Sequence, residues 1–137
     1  MKKSKLSGTC NREPLGSEGE SLASEGAPID LHQELAALLN YIGEVATRIR
    51  FLGQHKKQEP TVFSDVVWLG DSLHKLHHLG EAILLQDRQA ITNACCWLIA
   101  DHESYRNDAD SQAAFSRNRV RLDEAIRIFE AISTKVA

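Results

Sequence analysis

The chain has 137 residues, a net charge of −3, 42% hydrophobic and 26% charged residues, which fits one soluble domain with room for a tail. That balance gives no bulk attraction to nucleic acid or anionic membrane. No apolar run approaches the roughly 20 residues needed to span a bilayer, and the basic start MKKSKLSGTC has no apolar stretch behind it to make a secretory signal.

Residues 1–28 hold half the glycines and two of the three prolines, with charges of both signs. They show neither helical nor strand periodicity. Such a segment buries too little surface to offset its ordering entropy, so the expectation is a disordered polar tail followed by a helical domain over 29–137. From Asp30, an N-cap candidate with Gln33 in the capping-box position, Leu31, Leu35, Leu38, Ile42, Val45, Ile49 and Leu52 recur at spacings of four and three. That rhythm predicts a helix over roughly 30–52 with one apolar seam. Gly53, the polar run QHKKQEP and Pro60 end it.

A second seam, Val66, Leu69, Leu73, Leu76, Gly80 and Ile83, predicts a helix over 62–86, capped by Thr61 or Ser64. A third runs through Ile91, Cys95, Leu98, His102 and Tyr105 over 88–106. The stretch ESYRNDADS reads as a loop. A fourth seam, Phe115, Leu122, Ala125, Phe129, Ile132 and Val136, covers 111–135. The fold expected is all-α, an antiparallel four-helix bundle. LLQDRQA has neither glycine nor proline, so the 86–88 junction is either a turn stopped by Asp87 or part of one helix spanning 64–106, about 60 Å long.

Three cysteines give no disulfide framework and no C-x-x-C zinc half-site. Cys95 and Cys96 are neighbours on a helix, where their side chains diverge too far to bridge. One is expected to pack as a small apolar residue and the other to be partly exposed. Together with the charge and the lack of a signal, this points to a cytoplasmic protein.

The stretch DSLHKLHHLGE carries the densest chemistry. On a helix Asp71, His74, His78 and Glu81 share one arc outside the apolar seam, with His77 at its rim. Imidazoles at i and i+4 with flanking carboxylates suit zinc or another first-row divalent ion. The competing reading is a solvated face, because metal sites in bundles draw inward-facing ligands from several helices. His102 falls on the third seam, where a histidine is expected to be hydrogen-bonded inside the core.

DLHQELAALLNYI resembles the phosphoacceptor helix of histidine-kinase dimerisation domains. That resemblance implies His32 as the phosphoacceptor, with Glu34 as its acid across Gln33, in a four-helix dimer. Arg50 and His55 have the R-x₄-H spacing of the RNA-cleaving sites of HEPN bundles. In SRNRVRLDEAIR the arginines alternate with acids, and Arg119 can pair with Asp123 at i+4, which describes an ion-paired surface more than a nucleic-acid stripe.

No nucleophile–base pair, glycine-rich phosphate loop or paired carboxylate in an apolar setting stands out, so an enzyme is not the expectation. Trp68, Leu79, Leu85 and Val120 lie off the main seams and read as surplus apolar surface, hence an interface. The sequence therefore points to a small helical-bundle protein that needs no cofactor and acts by binding proteins, as a regulator, adaptor or chaperone-like factor. Its first partner is a second copy of itself, alongside an unidentified protein. The alternative is a metal-binding or phosphoaccepting bundle.

Overall fold

A computed structural model describes residues 28–54 and 61–137, and every regular element among them is helical. There are five helices in the described residues: α1 (His32–Gln54), α2 (Val62–Leu84), α3 (Arg88–Asn107), α4 (Ala109–Arg117) and α5 (Leu122–Val136). In contact order, α1 packs on α2, α2 on α3, α3 on α5, and α5 back on α1. The short α4 wedges against α2 and α3. The expected tail over 1–28 falls outside the described residues except for Pro28, as does His55 of the R-x₄-H pair.

Helix ends confirm the directions. The start of α1 meets the end of α5 through Glu34 and Lys135, 3.3 Å apart. Arg88, opening α3, donates to the Val136 carbonyl closing α5 at 2.6 Å. Ile29 donates its backbone N–H to the Gln86 side chain at 2.7 Å, joining the entry of α1 to the exit of α2.

The 86–88 junction is a turn. Gln86 adopts φ 55°, and the Asp87 and Gln86 amides donate to the carbonyls of Ala82 and Ile83. This is a Schellman stop with glutamine in the place that glycine usually takes. Asp87 then caps α3 by accepting from the Ala90 amide at 3.1 Å.

Two expectations are corrected at the C-terminal end. The segment ESYRNDADS is mostly helix, broken only at Asp108, whose carboxylate accepts from both the amide and the hydroxyl of Ser111. The predicted fourth helix is two helices. Arg119 sits at φ 60°, and Val120 and Arg119 donate to Phe115 and Ser116 in a second Schellman stop.

The seams of α3 and α5 enter the core as the spacing predicts, and that of α1 does so at alternate positions, with Leu35, Ile42 and Ile49 only partly buried. Leu38, Val45 and Leu52 are buried, as are Ile91, Cys95 and Leu98, and Phe115, Ala125, Phe129 and Ile132. α2 differs. Its buried line is Val62, Asp65, Leu69, Ser72, Leu76, Leu79 and Ile83, one step round the helix from the expected one, while Val66 and Leu73 are only partly buried. Leu79 and Val120, expected at an interface, are therefore interior residues of this chain. Cys95 is a free, fully buried thiol, and burial pushes it up to about 12. Cys96 beside it is buried as well, against the expectation that one of the two is partly exposed. No helix among the described residues is long and apolar enough to cross a membrane.

Candidate functional site

Two polar clusters stand on α2, one turned inward and one outward. The inward cluster is centred on His102, which is fully buried as expected. Its Nδ1 donates to the Leu98 carbonyl at 3.0 Å, one turn back on α3. That bond leaves Nε2 as an acceptor for the Tyr41 hydroxyl at 3.1 Å and places it 3.4 Å from Ser72 Oγ. Phe129 presents an edge to the imidazole with centroids 4.9 Å apart, and Phe115 and Tyr105 complete an aromatic surround. Burial drives His102 down to about 4, against the opposing pull of Asp101 and the Leu98 carbonyl. It is neutral at pH 7, so it ties α1, α2 and α3 together without bringing a charge inside.

The same cluster continues to the surface through Lys75. Its ammonium lies 2.8 Å from Asp71 Oδ2 and 2.9 Å from Asp101 Oδ1, with the Trp97 ring centroid 5.0 Å away. Tyr105 donates to Asp71 Oδ2 at 2.6 Å. Burial alone would raise Asp71, but the bonds from Lys75 and Tyr105 win and hold it below the usual carboxylate range. Burial pulls Lys75 down and its two carboxylate partners more than restore it, so it stays charged. Burial pushes the hydroxyls of Tyr41 and Tyr105 up, out of reach as bases near neutrality. A further ion pair anchors α4: Asp65, on the buried line of α2, takes Nε and Nη2 of the exposed Arg117 and the side chain of the buried Asn118.

Lys75, Asp101, Asp65 and Asn118 escaped the sequence reading because a charged residue in a helical pattern is ordinarily assigned to water. The one available hint was the match of Asp65, Ser72 and Lys75 to a three-and-four rhythm once polar residues are admitted to it.

The outward cluster contains the predicted histidines. His74, His77 and His78 are all exposed. Nε2 of His78 is 3.3 Å from Nε2 of His74, and Glu81 Oε1 is 3.8 Å from the opposite ring nitrogen of His78. Asp71, the fourth residue of the predicted metal quartet, is committed to Lys75 and Tyr105. Among the described residues no group of three or more histidines, cysteines and acids is placed to hold an ion. His32 is exposed at the first position of α1, and Glu34 turns to Lys135 at the end of α5, so the two are not brought together.

Large apolar side chains are exposed toward both ends of the same helix. Phe63 is 78% exposed, Leu84 77%, Leu85 76%, and Val67 and Trp97 about half. Trp97 reaches across from α3 to His78, with ring centroids 6.4 Å apart. Of the predicted interface residues, Leu85 is exposed and Trp68 is half-buried against Tyr105. A recess of about 540 Å³ at the α4–α5 turn is lined by Arg106, Arg119, Arg121 and Arg127 with Asp123 and Glu124. Asp123 pairs there with Arg106 at 2.9 Å, not with Arg119 as its spacing suggested, and Glu124 pairs with Arg127.

No family model, curated protein or solved structure matches this chain.

Proposed function

We propose that this is a small helical protein that works by protein–protein contact, as a regulator, adaptor or chaperone-like factor, and that its first partner is a second copy of itself. The observation that carries the reading is the exposure of Phe63, Val67 and Leu84 on α2 and of Leu85 at its C-cap, with Trp97 half-exposed on α3. Isolated exposed apolar residues are ordinary, but several large ones along one helix make a surface that gains free energy when covered. A second copy is favoured because Val67 and Leu85 lie at the same angle on the helix, so an antiparallel second copy sets each against the other.

Light scattering of the full chain across a dilution series tests the reading. A mass rising toward the dimer with concentration, and falling back in a Phe63→Asp/Leu85→Asp double variant, supports it. A monomer at every concentration defeats it.

A further inference from the structure

The mirror order on α2 is specific. Val67 stands seven residues before His74, and Leu85 seven after His78. Asp71 stands three before His74, and Glu81 three after His78. At about 100° per residue, Val67 and Leu85 fall at the same angle on the helix. His74 and His78 lie about 20° to either side of it, and Asp71 and Glu81 about 40°. Turned end over end about the midpoint of the histidine pair, this face superposes on its own pattern.

The pair has the geometry of a chelate. Two imidazole nitrogens bound tetrahedrally to zinc at roughly 2.0–2.1 Å lie about 3.3–3.4 Å apart. The His74 and His78 Nε2 atoms are 3.3 Å apart. The nitrogens that meet are the same atom of each exposed ring, with no third histidine, cysteine or acid among the described residues joining them. A tetrahedral ion held here has two coordination positions left over.

We propose that His74 and His78 form half of a tetrahedral metal site for a first-row divalent ion such as zinc, and that His74 and His78 of a second copy, with its α2 antiparallel, complete it. This inference rests on the self-association reading above and specifies the face and the bridging ion. Val67 of each copy then meets Leu85 of the other. Phe63 lies one turn further out, over the other copy's α2–α3 turn. Without metal, one Nε2–H donates to the other Nε2. On binding, that proton moves to Nδ1 of its own ring, so both Nε2 lone pairs face the ion and no proton need be lost. Glu81, beside Nδ1 of His78, favours that tautomer, the usual role of a carboxylate behind a metal-bound histidine. Asp71 stays with Lys75 and Tyr105 and is not a ligand.

Sedimentation velocity of the untagged full chain, in EDTA and with zinc chloride, tests the proposal. Zinc is expected to tighten dimerisation at least about tenfold, the linkage produced by an ion that binds only the pair, with one ion per two chains. His74→Ala and His78→Ala should each abolish the zinc effect. Both positions are exposed, so a thermal melt of each variant should match the parent. Cobalt in place of zinc should give the visible absorption of a tetrahedral nitrogen site, lost in the same variants. A dimer that forms equally in EDTA and in both histidine variants overturns the metal site while leaving self-association intact. One zinc per monomer without dimerisation overturns the shared site, and a monomer under every condition overturns both.

Discussion

His102 illustrates how a polar side chain is admitted to a core. Each ring nitrogen has a partner, and the surrounding rings exclude the water that would stabilise its charge. The cost appears in acid. The unfolded chain takes up a proton near the ordinary value of 6.5, whereas the folded chain resists until about 4. Stability is therefore fully present above the unfolded value and is lost as pH falls through it, by about 2 kcal/mol between pH 7 and pH 5. Urea unfolding at the two pH values should show this loss, and a His102→Gln variant should be less stable at pH 7 yet nearly free of that pH dependence. Asp65 is admitted to the interior differently, through its bonds from Arg117 and Asn118. Asp65→Ala strands the Asn118 donor and loosens α4, and should cost about 2 kcal/mol in a urea titration.

Helix boundaries here are set by two non-glycine residues held in the left-handed region. Gln86 is retained there with a second task, since its side chain clasps Ile29 through both the amide and the carbonyl. Arg119 is exposed, and no hydrogen bond or ion pair from its side chain is seen among the described residues. Arg119→Gly should therefore relieve backbone strain and stabilise the fold by about 0.5–1 kcal/mol, read as a raised midpoint of thermal unfolding. Asp87→Ala, which removes the cap of α3, should lower stability by about 1 kcal/mol. On α2 the buried line runs through Asp65, Ser72 and Leu79 because three helices lean on it, α1, α3 and α4. Leu79→Ala is thus a core truncation, expected to cost about 3 kcal/mol without weakening self-association at temperatures where the variant stays folded. A variant that stayed stable but lost its dimer would return Leu79 to the interface.

Taken together, the helices bury one side of α2 and leave the opposite side with its aromatic and leucine residues in solvent. The inner polar cluster is internally paired, with Lys75 held between the carboxylates of Asp71 and Asp101. The outer pair of imidazoles is exposed. Exposed apolar side chains also occur on α1, at Leu39 and Phe51, but the proposed contact and the proposed metal site share one face of α2. Zinc-dependent dimerisation is the measurement that joins the two.

Apolar spacing alone was enough to establish the helices among the described residues, the seams of α3 and α5, the buried place of His102 and the outward place of His74 and His78. Each of those depends on one side of one rod being oily, a local property. Which arc of α2 is covered, that Leu79 and Val120 are interior, that Asp65 and Lys75 sit among apolar neighbours, and that the last seam is split at Arg119 were decided only by packing. A helix crowded from three directions buries more than its apolar stripe, and a charge can enter that wider arc only when another helix brings its counter-charge. Spacing along a single segment carries no record of either condition.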